Sequence, residues 1–175
     1  MSDVDVIGIV VNSACAPVIR AATAADAALI LSFIRELAEY EKLLDRVSAT
    51  EENLRQTLFG SKPCAEVLIA EVDGKAEGFA LYFQNYSTFL ATPGIYLEDL
   101  YVRESARGLG IGLKLIASVA QRAVELGCGR FEWAVLDWNE PALKFYRALG
   151  AVAQDDWTVQ RLYGPALLEL AAKAG

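Results

Sequence analysis

Two hydrophobic periods alternate along the chain. Val18 to Arg20 reads as a short first strand, and Thr23 stands where a helix N-cap is needed before Ile30, Phe33, Ile34 and Leu37, which recur at helical spacing toward Tyr40 and Glu41. A second helix is expected from the Ser-x-x-Glu box of Ser48 to Glu51, with Leu54 and Leu58 on its apolar side and Gly60 to Pro63 as its stop. Ala65 to Val72 and Glu77 to Tyr86 read as strands joined through Asp73-Gly74, the strongest hairpin signal in the chain. After a loop holding Thr92-Pro93-Gly94, a strand runs from Ile95 to Val102. Ile116, Val119, Ala120 and Ala123 then mark a helix that Gly127 ends. Phe131 to Leu136 reads as a further strand, broken by Asp137-Trp138-Asn139. Asn139 and Pro141 open a helix through Phe145 to Leu149, closed by Gly150. A last strand is expected over Trp157 to Tyr163, and Pro165 to Ala172 can form a terminal helix. The order β-α-α-β-β-β-α-β-α-β predicts an α/β (α+β) fold, a mixed sheet with helices on both faces.

The 175 residues suit one domain, here placed at 18–175 behind an N-terminal extension of residues 1–17. No apolar run is long enough to span a bilayer, and the extension carries Asp3 and Asp5 where a signal peptide would carry Lys or Arg. Cys15, Cys64 and Cys128 are too scattered for a disulfide framework or a zinc knuckle, so a reduced, cytoplasmic setting is expected. Histidine is absent, which removes Ser-His-Asp and Cys-His nucleophiles and the usual His-bearing metal sites. No metal is expected. A net charge of −7 argues against nucleic acid as a partner.

Chemistry concentrates between Tyr96 and Leu126. An apolar strand carrying Glu98 and Asp99 runs into Arg107-Gly-Leu-Gly110-Ile-Gly112 and then a long helix. Glycines there allow positive φ and close backbone approach, and the first amides of the helix lack internal partners, so the turn suits a phosphate. The spacing is G-x-G-x-G rather than the G-x-G-x-x-G of dinucleotide folds, and no Walker pattern is present.

Arg107 to Gly112 fits [RQ]-x-x-G-x-[GA] and resembles the acetyl-coenzyme A loop of GCN5-related N-acetyltransferases, the GNAT superfamily. Arg20 to Asp26, Glu36 to Glu41, Tyr96 to Asp99, Trp138 to Pro141 and Phe145-Tyr146 extend the resemblance, over about residues 18–165, to the diamine (spermidine/spermine) N-acetyltransferase branch. That resemblance implies a mostly antiparallel sheet splayed at the acetyl-CoA site. It also implies transfer of acetyl from acetyl-CoA to a primary amine of a polyamine, diamine or lysine-like substrate, by direct attack in a ternary complex and with no cysteine required. A binding sensor with little turnover and a protein or peptide N-acetyltransferase are the alternatives. A homodimer is the family expectation.

Transfer from a thioester needs a free amine lone pair, and an alkyl ammonium has a pKa of about 10, so a base must help at neutral pH. Glu98 is the expected base and Tyr146 the expected acid for the departing thiolate, both by resemblance. Leu100, Tyr101 and Val102 would pair with the pantetheine arm. Arg107, Gly108, Leu109, Gly110, Ile111, Gly112 and Leu113 would hold the pyrophosphate, and Asn139 would bond the arm or serve only as an N-cap. Tyr40, Glu41, Asp99 and Trp157 would line the acceptor site. Consecutive strand residues face opposite ways, so Glu98 and Asp99 meet one substrate only if a bulge or twist intervenes. The chain departs from the family at its N-terminal extension and between Ser87 and Pro93, near the acceptor side, which leaves thialysine or another lysine-like amine open.

Overall fold

The computed structural model describes residues 16–175. The expected N-terminal extension, apart from its last two residues, and Cys15 lie outside the described residues. The chain gathers into two compact units, one through Ala134 and one of Val135–Gly175.

The first unit holds a five-stranded sheet in the order β1-β2-β3-β4-β5, formed by Val18–Ala21, Glu66–Val72, Lys75–Ser87, Thr92–Val102 and Arg130–Trp133. All pairings are antiparallel except the parallel pairing of β4 with β5. The β2–β3 hairpin turns at Asp73 and Gly74, whose φ values of 51° and 75° match the left-handed pair that a tight two-residue turn requires. Thr92 to Gly94, expected as loop, instead begins β4, because Pro93 and Gly94 lie in register with Tyr86 and Asn85 across the hairpin.

Helices α1 (Ala27–Tyr40) and α2 (Glu51–Phe59) cover one face. Ile30, Phe33, Leu54 and Leu58 pack there on Val67 and Phe79, and the Phe33 and Phe79 rings stack with centroids 5.3 Å apart. Helix α3 (Ile111–Glu125) covers the other face with Ile111, Leu115, Ile116, Val119 and Ala123 buried. A Cβ on Gly78 would meet the Ile111 side chain, and Gly78 adjoins Phe79 in the strand, so the two helical layers take opposite faces of β3. Helix α2 is capped by Thr50, whose side chain accepts from the Asn53 amide at 3.2 Å; the expected Ser48 box lies before it.

Asp26 locks the start of α1 to β1. Its carboxylate accepts two hydrogen bonds from Arg20, both 2.9 Å, and one from the Thr23 amide at 2.7 Å. The Arg20 bonds hold it at about 2, below its ordinary 3.8. A carboxyl group lowered on folding adds stability that is present above pH 4 and fades as pH falls through about 2. Asp26→Asn is therefore expected to cost about 1–2 kcal/mol at pH 7, the half-exposed Arg20 setting the lower end. Urea unfolding at pH 7 and pH 2 checks this: the difference between variant and parent should shrink in acid, and an unchanged difference would refute it.

In the second unit, α4 (Glu140–Ala148) is capped by Asn139, whose Oδ1 accepts from the Ala142 amide at 3.3 Å, and Gly150 closes it at a φ of 86°. The strand expected over Trp157 to Tyr163 is absent: this segment has no regular structure, and Trp157 is 75% exposed. A strand is stable only when a neighbour completes its ladder, and the unit contains no other strand. Helix α5 (Gly164–Ala171) forms as expected, with Pro165 in its first turn, and a 3-10 turn of Ala172–Ala174 follows it.

Candidate functional site

The glycine loop has the geometry its sequence calls for. Gly108 and Gly110 sit at φ values of 82° and 77°, and among the described residues no atom beyond their own chain neighbours lies within 4 Å of where a Cβ on either would stand. The space above the loop is therefore open. Gly110, in left-handed conformation, replaces the usual polar N-cap of α3. The first helical hydrogen bond is donated by the Lys114 amide to the Gly110 carbonyl at 3.0 Å, so the amides of Ile111, Gly112 and Leu113 precede the helical ladder. Leu109 and Leu113 are exposed on either side.

Arg107 turns back from this loop. Its Nε donates to the Val102 carbonyl at 3.2 Å, and its guanidinium lies 5.0 Å from the centroid of the Tyr40 ring. Such a contact favours a cation over an aromatic face. It brings Tyr40, at the end of α1, beside the loop.

The expected bulge is present in β4. Leu97 pairs with Tyr82 and Asp99 with Leu81, which leaves Glu98 as the extra residue. Continuing the alternation from Leu97 without this insertion would place Asp99 on the α3 face. With it, Asp99 shares a face with its partner Leu81 and with Tyr101, both of which pack against the α1 and α2 cluster. Glu98 is exposed and Asp99 is half-buried.

Three carboxylates share this corner. Burial pushes the Asp99 carboxyl up to about 7, and the negative charges of Glu98 and Glu41 push it the same way. Glu41, the residue that caps α1, is itself raised by burial. Among the described residues, no group of His, Cys, Asp or Glu is gathered closely enough to hold a metal ion.

Next to the bulge the sheet opens. The ladder between β4 and β5 runs from Gly94–Arg130 to Leu97–Trp133 and stops, while β4 continues paired to β3 as far as Val102. Among the described residues, no strand pairs with Glu98 to Val102 on the β5 side, which leaves an edge there. Leu100, Tyr101 and Val102 lie on that edge, although the Val102 carbonyl already accepts from Arg107. An extended chain bearing amides can pair with such an edge as an added strand. The open cradle, the free first turn of α3 and this edge together fit a pantetheine-linked diphosphate.

One structural pair escaped the sequence reading. Arg103 donates to both oxygens of Glu36, at 2.9 and 2.8 Å, and its guanidinium lies 4.8 Å from the centroid of the Phe33 ring. The bonds hold the Glu36 carboxyl below its ordinary value. This brace fastens α1 to the end of β4, and so helps set Tyr40 and Glu41 beside Asp99 and Arg107. A separation of 67 residues gave no local signal for it.

Asn139, Tyr146 and Trp157 belong to the second unit. Tyr146 is half-buried on α4, its ring centroid 5.3 Å from that of Phe145. The Asn139 carbonyl oxygen serves as the helix cap, the role that competes with binding a ligand.

Comparison with known proteins adds a family. Residues 31–151 match the model of the acetyltransferase (GNAT) family. The chain is similar to the thialysine N-epsilon-acetyltransferase of Bos taurus, 45% identical over 89% of this chain and 97% of that protein. It is 34% identical to the L-ornithine N5-acetyltransferase of Arabidopsis thaliana, over 85% of each. Among solved structures, an integron cassette protein from the mobile metagenome of V. cholerae superimposes with a TM-score of 0.75 and 28% identity, covering 90% of this chain and 98% of that one.

Proposed function

The chain belongs to the acetyltransferase (GNAT) family and is an N-acetyltransferase, and from that premise we infer that it acetylates the side-chain amine of a lysine-like amino acid or one end of a short polyamine. The observation that carries this reading is the corner made by Glu41, Glu98 and Asp99, a concentration of negative charge beside the glycine loop. A cationic acceptor is held there by charge. Its methylenes can lie along Tyr40. The substrates named in the relatives, thialysine and ornithine, are compact amines of this kind.

Members of this family use acetyl-CoA as cosubstrate. In this chain the amides of Ile111 to Leu113 and the open space over Gly108 and Gly110 would receive its diphosphate, and the edge from Leu100 to Val102 its pantetheine arm. Once bound, it supplies an acyl thioester. The chain's own part is to hold the ammonium against carboxylates that can take its proton, and to supply a proton to sulfur, the role proposed for Tyr146. Arg107 would have to leave the Tyr40 ring, or share it, to reach a diphosphate. A homodimer, expected from the resemblance, and a cytoplasmic setting, expected from the scattered cysteines, complete the proposal.

Release of coenzyme A from acetyl-CoA should be measured across thialysine, lysine, ornithine, putrescine, spermidine, spermine and several peptides. Turnover is expected on at least one small diamine or diamino acid, with peptides at least about tenfold slower in kcat/KM, because a free second charge is what the acidic corner recognises. Turnover confined to peptides would overturn the small-amine reading. Tight acetyl-CoA binding without turnover on any acceptor would point to a sensor.

A further inference from the structure

Resting on the acetyltransferase reading above, the acceptor corner has two walls that come from different elements. Tyr40 and Glu41 stand at the end of α1, and Glu98 and Asp99 belong to β4. A cationic acceptor lying between them meets charge on both sides. The reach of α1 from β4 therefore decides how long a molecule fits.

Apolar packing fixes the first part of α1. In the cluster formed with Val67 and Phe79, the helix is represented from Ala27 to Ile34. Past Ile34 the buried side chain is Ala38, a single methyl, and such a contact has no preferred direction. Glu36 supplies the direction. It accepts from Nε and Nη2 of Arg103 at 2.9 and 2.8 Å, from the Ser32 hydroxyl at 2.8 Å, and from the Tyr101 hydroxyl. Arg103 is itself fixed to β3, because its Nη1 donates to the Ala76 carbonyl and its amide to the Glu77 carbonyl, both at 2.9 Å. Two parallel bonds from one guanidinium set an angle as well as a distance. Glu36 lies one turn before Tyr40, so that angle is passed to the residues of the corner.

We propose that the Glu36–Arg103 pair is the positioning device that selects the acceptor's chain length: it holds the α1 wall at a fixed reach from the β4 wall, and so favours one number of methylenes between the reacting nitrogen and the second charge. Neither residue touches the reacting atoms, and both act through Tyr40 and Glu41. One methylene placed well or badly is worth about 10- to 200-fold in kcat/KM. The pair stays ionised at neutral pH, because the Arg103 bonds hold the Glu36 carboxyl below its ordinary value and Glu36 raises Arg103 in turn.

The test measures kcat/KM at saturating acetyl-CoA over two homologous series, each member one methylene longer than the last: diaminopropane, putrescine and cadaverine, then diaminobutyrate, ornithine, lysine and homolysine. Wild type should peak at one length in the series it accepts, with the neighbours at least about tenfold lower. Glu36→Gln keeps the shape and removes the charge, whereas Arg103→Lys keeps the charge and removes the fork. Each should flatten the peak to about threefold or less. Leu58→Ala removes packing from the α1 and α2 cluster without touching the fork, so it should lower thermal stability and scale every length alike. A role in folding alone moves all amines by one factor, and a positioning role changes their ratios. A peak that survives in a folded brace variant, or a loss equal at every length, would overturn the proposal, as would a wild type indifferent to length. Should one variant fail to fold, the other decides. Wild type inactive on every small amine would overturn the acceptor reading and this proposal together. An active wild type whose brace variants keep the peak would overturn the positioning role alone.

Discussion

Tyr146→Phe is expected to lower kcat by about 10²- to 10³-fold while leaving acetyl-CoA affinity within about twofold. A thiolate leaving a thioester needs a proton, and a phenol at about 10 is matched to a thiol only slightly more acidic. The substitution deletes one oxygen and keeps the ring. Tyr146 is half-buried on α4, beside Phe145, so removing the hydroxyl leaves the aromatic packing of that helix in place. A loss confined to kcat marks an interaction made only during reaction, whereas a rise in KM alone would mark simple binding. Turnover within twofold of wild type would remove Tyr146 as the acid. Phe145→Ala supplies the contrast, because it should lower thermal stability without selectively affecting kcat.

Gly110→Ala should weaken acetyl-CoA binding by about tenfold or more, with a stability cost of only about 1 kcal/mol. Among the described residues, nothing beyond its own chain neighbours lies within 4 Å of the added methyl, so the described fold has room for it. The methyl would nevertheless project where a diphosphate must approach the α3 amides. Strain at a φ of 77° contributes as well, and a matched substitution separates the two effects. Gly127, at the far end of the same helix, has a φ of 67° and equally open surroundings. Gly127→Ala should therefore cost similar stability and leave acetyl-CoA binding intact. Isothermal titration and thermal unfolding of both variants read the two quantities separately. Equal losses of affinity would mean that backbone strain, and not a ligand site at Gly110, is responsible.

Much of this architecture is carried by local chemistry. Asp73-Gly74 dictates its hairpin because few residues tolerate two successive left-handed conformations. The apolar spacing of α1 and α3 dictates which sides are buried, and G-x-G at the start of α3 dictates an open, amide-lined turn. Local signals failed where neighbours compete for the same role. Thr50, two residues after Ser48, took the α2 cap. Thr92 to Gly94 carry turn residues but were drawn into β4 by pairing across the hairpin. The segment from Trp157 to Tyr163 has strand composition, yet composition supplies only half of a ladder.

The sequence by itself determined the family and the glycine loop, because each depends on residue type at short spacing. Tertiary structure decided how the candidate residues face one another. One inserted residue at Glu98 turns Asp99 from the α3 face to the α1 face, and a strand's period of two means that a shift of one position exchanges its faces. The Glu36–Arg103 brace, the Arg107–Tyr40 contact and the approach of Glu41 to Asp99 likewise join residues far apart in the chain. Charge and burial act through space, so the basicity of Asp99 is a property of the folded corner and of no motif within it.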